Sequence, residues 1–128
     1  MKYLLDTHSL IWYLSGDARL SDHAFHLMEN EENELFISIA SLWEMAIKFS
    51  IGKLNLDRPF EELFPEQLAS NSIELLGITI EHLKIVGGLP FHHRDPFDRL
   101  LIAQAQTELL PMISMDTIFD HYRIRREW

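Results

Sequence analysis

Short apolar runs of strand length alternate along this chain with segments whose apolar residues recur at helical spacing. A mainly parallel sheet with crossover helices is the fold that fits this order. Tyr3-Leu4-Leu5 stops at Asp6, and Leu10, Ile11 and Leu14 follow on one helical face. Ser21 reads as the N-cap of a helix marked by Ala24, Leu27 and Met28, and Glu34-Leu35-Phe36-Ile37 as the next strand. A helix starting at Ser38 or Ser41 runs through Ile39, Leu42, Trp43 and Ala46 and stops near Gly52. Pro65 interrupts residues 59–71, which predicts two short turns or a kinked helix. Ile73 to Leu76 reads as a strand, Thr79 as an N-cap and Ile80 to Val86 as a helix. Pro96 opens a helix to about Glu108, Met112-Ile113-Ser114 is a strand, and Tyr122 to Arg125 is a candidate edge strand. The expectation is a single three-layer α/β/α domain over residues 1–128, which is the size of one domain.

In such a sheet, ligands bind beyond the carboxyl ends of the strands. Asp6 and Asp116 follow strand-like runs and project there, and Glu44 and Asp98 fall in the first turns of helices that begin at that edge. Asp98 shares its helix face with Ile102, Ala105 and Leu109, so the acid borders an apolar stripe rather than a solvated face. Carboxylates gathered this way repel one another unless a cation neutralises them, and an oxygen-only donor set favours Mg²⁺ or Mn²⁺. Purely structural roles compete for each residue. Glu44 completes a capping-box pattern with Ser41, Asp95 suits the N-cap before Pro96, and Asp6 could cap the first helix. Asp116 and Asp120 could be turn residues. His92 and His93 fit a surface or hydrogen-bonding role better than ligation. Arg94 and Arg99 could contact phosphate or pair with nearby acids, and Trp12, Trp43 and Phe97 read as core.

Composition narrows the chemistry. With no cysteine, thiolate nucleophiles, disulfides and the common thiolate metal sites are excluded. Eleven Lys and Arg against 20 Asp and Glu give a net charge of −9, which argues against nonspecific coating of nucleic acid. Gly52-Lys53 lacks the rest of a phosphate loop, Asp6-Thr7-His8 lacks the second acid of a haloacid-dehalogenase-like site, and no serine sits in a nucleophile elbow. The N-terminal apolar run is too short for a signal peptide and no stretch is long enough to span a membrane, so a cytoplasmic location is expected.

Four blocks occur in order: Leu4-Leu5-Asp6-Thr7-His8; Ser41-Leu42-Trp43-Glu44 with Lys48 and Gly52-Lys53-Leu54; His93-Arg94-Asp95-Pro96-Phe97-Asp98-Arg99-Leu100-Leu101-Ile102-Ala103; and Ser114-Met115-Asp116. Together they resemble the PIN-domain ribonucleases of the VapC toxin type, over nearly the whole chain. The resemblance implies an acidic site of Asp6, Glu44, Asp98 and Asp116, with Asp6 and Asp98 as direct ligands of Mg²⁺ or Mn²⁺, and Asp120 competing with Asp116 for the fourth place. It implies metal-assisted hydrolysis of RNA to 5′-phosphate and 3′-hydroxyl ends, with Lys48, Arg94 and Arg99 as candidate phosphate contacts. It further implies a homodimer and a cognate antitoxin that covers the groove, with the helices between Asp57 and Leu76 forming a clip over it. Two other readings remain open. One is a non-catalytic acidic groove for a basic partner, and the other is a metal phosphohydrolase built on His92, His93 and Asp95.

Overall fold

The structure, a computed structural model, describes residues 1–128. In chain order the elements are β1 (Lys2–Leu5), α1 (Thr7–Ser15), α2 (Asp22–Glu29), β2 (Glu34–Ser38), α3 (Ile39–Ser50), α4 (Phe60–Ser70), β3 (Ile73–Leu76), α5 (Ile80–Gly88), α6 (Pro96–Glu108), β4 (Met112–Ile113) and β5 (Arg126–Glu127). A 3₁₀ turn, Thr117–His121, connects β4 toward β5. The five strands form one sheet in the order β3-β2-β1-β4-β5, and every adjacent pair is parallel. Burial alternates by residue, as the pleat requires. Tyr3, Leu5, Leu35, Ile37, Ile73 and Ile113 join the core beneath α1 to α4, whereas Leu4 and Met112, with Phe36 and Leu76 against them, join the core beneath α6. Two cores on opposite faces of one sheet make the three-layer α/β/α sandwich.

Local chemistry sets the helix starts. Asp6 caps α1 by accepting from Ser9 N–H, and Ser21 caps α2 by accepting from Ala24 N–H. Asp95 caps α6 with Pro96 as its first residue. At α5 the Thr79 side chain accepts from His82 N–H while Thr79 N–H donates to His82 Nδ1, a reciprocal box in which histidine replaces the usual acid. Gly16 ends α1 in the left-handed region at φ 64°, where a side chain would be strained.

Two open alternatives are decided, and the capping-box role of Glu44 and the place of the last strand are corrected. Ser38, not Ser41, caps α3, because its hydroxyl accepts from Ala40 N–H at 3.0 Å. Glu44 therefore sits in the second turn and is not part of a capping box. Residues 60–70 form one helix through Pro65, which is exposed on the same face as Glu61, so the carbonyl that loses its amide partner faces water. The last strand is Arg126–Glu127 rather than 122–125, since Tyr122 is buried and fixed by hydrogen bonds of its own.

Candidate active site

The strand order reverses at β1, with β2 and β3 to one side and β4 and β5 to the other. The crevice at the carboxyl ends of β1 and β4 is thus the topological switch point of the sheet. Leu5 pairs with Ile113 across it, so the next residues, Asp6 and Ser114, face each other. Ser114 Oγ donates to Asp6 Oδ2 at 2.5 Å, and Asp6 Oδ1 accepts from Ser9 N–H at 2.8 Å. Capping and site membership coexist in Asp6, each oxygen taking one task. Its carboxyl is pushed above the usual range by burial, against the opposing pull of the Ser114 and Ser9 hydrogen bonds.

Glu44 reaches the same edge from α3. It is buried, accepts from Thr7 Oγ1 through Oε1 at 2.9 Å, and pairs with Lys48 Nζ through Oε2 at 2.9 Å. Thr7 has one hydroxyl proton, so Ser41 Oγ, 2.9 Å away, donates to Thr7 in a short relay ending on the acid. Asp98, in the first turn of α6, completes the group. Burial, reinforced by the charges of Asp95, Asp6, Glu44 and Asp116, pushes its carboxyl up to about 8. Asp6, Glu44 and Asp116 therefore all lie close enough to Asp98 to raise its carboxyl.

Asp116 belongs to this cluster and Asp120 does not. Asp116 Oδ2 lies 2.8 Å from His93 Nε2, and the same nitrogen is 3.2 Å from Asp98 Oδ2. Asp6 and Asp116 also line one hollow with His8, Trp12 and Thr117. Asp120 is exposed and held by Arg126, with contacts of 2.9 and 3.0 Å.

His93 takes the hydrogen-bonding role that its sequence context allows, but inside the acidic group rather than on the surface. His93 is buried, and its imidazole joins two acids separated from it by up to 23 positions in the chain. The visible signal was only its place two residues before the α6 cap, where its Nδ1 accepts from Asp95 N–H at 3.3 Å. His92 is exposed and stacks on His121 at 5.2 Å, while Asp95 is occupied as the cap. The His92–His93–Asp95 set therefore does not assemble as a unit.

Arg99 requires a correction of a different kind. It is buried, and its guanidinium donates to four backbone carbonyls, those of Pro90, His93, Val86 and Leu89, at 3.0 to 3.2 Å. The Phe91 ring lies 3.9 Å from it, so this cation ties down the loop before α6 and is not free for phosphate. Lys48 is partly buried at Glu44, and Arg94 is exposed next to His93 in sequence. Trp43 is not core either. It is 61% exposed and packs its edge on Phe97 beside the acids.

The donor set suits a divalent cation. Oxygens dominate it, the ligand atoms of His93, Asp98 and Asp116 lie within 4.8 Å of one another, and Lys48 is already paired with Glu44. A carboxyl held near 8 by burial, with like charges adding to it, is a group that an added cation would stabilise strongly in its ionised form.

With this geometry in place, comparison with known proteins is decisive for the family. The model of the PIN domain matches residues 3–124. The chain belongs to the PIN domain family. No curated protein matches it by sequence. Among solved structures, this PIN domain is similar to VapBC2 from Rickettsia felis bound to a promoter DNA fragment, with a TM-score of 0.72 and 17% identity over 99% of this chain and 98% of that one. It is also similar to DNA-bound VapBC from Salmonella typhimurium, with a TM-score of 0.71 and 19% identity over 99% and 97%. VapBC-1 from nontypeable Haemophilus influenzae gives 0.67 and 16% over 99% and 97%. At these identities the likeness establishes a shared fold, and the chemistry of this PIN domain rests on its own residues.

Proposed function

We propose that this PIN domain is a metal-dependent endoribonuclease, the toxin of a VapBC-like toxin–antitoxin pair. The observation that carries the reading is the convergence of Asp6, Glu44, Asp98 and Asp116 at the switch point, with Asp98 pushed up to about 8 by burial and its acidic neighbours. A structural ion-pair network would leave each carboxylate matched to a cation, whereas here Lys48 is the one Lys or Arg paired with the group, through Glu44, and a single imidazole, His93, lies between Asp98 and Asp116. Mg²⁺ or Mn²⁺ held by Asp6 and Asp98, with Glu44 and Asp116 beside them, would supply Lewis-acid activation of water and charge neutralisation at a phosphodiester.

The chain's own residues prepare that chemistry. Ser114 and the Ser9 amide fix the Asp6 carboxylate, and Thr7 and Lys48 fix Glu44, so neither acid has to be ordered when substrate arrives. Lys48 and exposed Arg94 are the cations placed to meet RNA phosphates that the net charge of −9 otherwise repels. Trp43 and Phe97 offer aromatic surface at the rim for an unpaired base.

An antitoxin partner is supported by the likeness to toxin–antitoxin complexes, and a basic side chain of that partner placed among the acids would occupy the cation's role. Homodimerisation is supported by the outer face of α3, where Ile39 and Ile47 remain exposed. A cytoplasmic location belongs to the same reading, and no helix is long and apolar enough to cross a membrane.

The test is cleavage of purified total RNA in Mg²⁺ or Mn²⁺, beside EDTA and beside an Asp6→Asn protein purified identically. Discrete fragments appearing only with metal and wild-type Asp6 are the expected result. If both proteins are inert while a basic partner binds regardless of chelator, the acids serve binding and the enzyme reading is withdrawn.

A further inference from the structure

His93 stands between two of the acids and has no part in the reading above. Every polar atom it carries is engaged. Its backbone N–H donates to Tyr122 Oη at 2.8 Å, and that hydroxyl donates onward to the Pro90 carbonyl at 2.7 Å. Its carbonyl accepts from buried Arg99 at 3.2 Å, and its ring lies at 30° against buried Phe119, with centroids 5.5 Å apart. The imidazole is consequently fixed in position and orientation before any ligand enters.

Its tautomer is fixed as well. Nδ1 accepts the Asp95 amide proton, so the ring proton resides on Nε2, the nitrogen shared between Asp116 Oδ2 at 2.8 Å and Asp98 Oδ2 at 3.2 Å. A nitrogen that carries a proton has no lone pair for a metal. Distance alone would admit His93 as a third ligand beside Asp98 and Asp116, and the Asp95 amide decides against that role.

We propose that His93 is a positioning residue that holds Asp116 and Asp98 together, donating Nε2–H to Asp116 Oδ2 at 2.8 Å with Asp98 Oδ2 in polar contact 3.2 Å from the same nitrogen, and that it does not ligate the ion. The inference rests on the metallonuclease reading. The two acids come from elements with no covalent reason to meet, since Asp98 sits on α6 and Asp116 follows β4, and they repel each other. The polar Nε2–H between them offsets that repulsion and sets their separation, leaving Asp98 Oδ1 unengaged by the protein. Arg99 and Tyr122 then act one step further out, by holding the backbone of the clamp.

The experiment is Mn²⁺ binding by calorimetry to wild type, His93→Gln and His93→Ala, combined with pulsed electron paramagnetic resonance of the Mn²⁺-loaded proteins and melting curves in EDTA. Glutamine keeps an N–H at the end of a side chain of similar reach, and alanine removes it. The expected result is no directly coordinated ¹⁴N coupling in wild type, affinity within about threefold of wild type for His93→Gln, and a loss of roughly 10- to 100-fold for His93→Ala. Melting curves in EDTA confirm that both variants are folded. Coordinated nitrogen coupling in wild type overturns the proposal by making His93 a ligand. Equal weakness of the two variants, or undiminished affinity in His93→Ala, also overturns it. A wild-type protein that binds no Mn²⁺ removes the metallonuclease reading and this clamp with it, an outcome distinct from the others.

Discussion

At the amino end of α6 two oppositely charged neighbours are held in different ways. Arg99 is buried with no carboxylate against it, and four backbone carbonyls and an aromatic ring satisfy it completely. Asp98, one residue earlier, is surrounded by other acids, and its carboxyl rises to about 8. The two do not neutralise each other, because one step along a helix turns them about 100° apart onto different surfaces. A charge used to hold a loop is matched where the chain folds. On the proposed reading, Asp98 is a charge kept for a ligand, left short of partners until the ligand comes.

The largest effect that sharpens this contrast is functional. Asp98→Asn is expected to lower RNA cleavage roughly a thousandfold or more, because it removes a charge on which metal-assisted hydrolysis depends. Initial rates on a mapped RNA fragment, with metal saturating, check it. Retention of even a tenth of the activity would mean that Asp98 is as structural as its neighbour.

Next is the cation. Arg99→Met strands four carbonyls around an apolar side chain and is expected to cost about 3–5 kcal/mol of stability, measured by urea unfolding. A cost under about 1 kcal/mol would show that water or a rearranged loop replaces the guanidinium, which would break the contrast. Arg99→Lys is expected to recover only part of the loss, since a point charge cannot reproduce the fork.

The reverse sign is expected for the acid in the metal-free protein. Asp98 has a folded pKa, about 8, above its ordinary 3.8, so between those values the folded state binds more protons than the unfolded state. The stability it contributes is fully present below about pH 4 and is lost as pH rises through about 8. Asp98→Asn, which never ionises, should therefore stabilise the apoprotein at pH 8.5 by about 1–3 kcal/mol and change it little at pH 5. Melting curves in EDTA at the two pH values test the sign, and Mn²⁺ should raise the wild-type midpoint more at the higher pH. A wild-type midpoint that climbs in EDTA from pH 5 to 8.5 would oppose the placement of Asp98 among unscreened acids.

The smallest effect belongs to the acid outside the group. Asp120→Asn breaks an exposed pair with Arg126 and is expected to change stability by less than about 1 kcal/mol and cleavage not at all. A large loss of cleavage would return Asp120 to the site in place of Asp116.

Much of this organisation was legible in the sequence, and the parts that were share a short range. The alternation of strand and helix patterns gave the parallel three-layer fold. The caps at Asp6, Ser21, Thr79 and Asp95, with Pro96 after the last, were readable because a cap and its amide lie within three residues. Asp6 and Asp98 were also legible as site residues, one ending an apolar strand and the other bordering an apolar stripe, and the blocks around them resembled the family to which the chain belongs.

What the tertiary structure decided were the partners of charged and polar side chains. Ser38 rather than Ser41 caps α3, since Ser41 is drawn to Thr7 across 34 positions. Asp116 is separated from Asp120 by Arg126, which β5 carries to one of them, and by His93, which the loop before α6 carries to the other. Arg99 looked like any basic residue near a cluster of acids until the chain wrapped four carbonyls around it. Secondary structure follows mostly from dihedral preferences and apolar periods that act over a turn or two, so the sequence determines most of it, the two-residue last strand being the exception that tertiary contacts place. An ion's partner is whatever group the folded chain brings within about 3 Å, and that is settled only when distant elements pack.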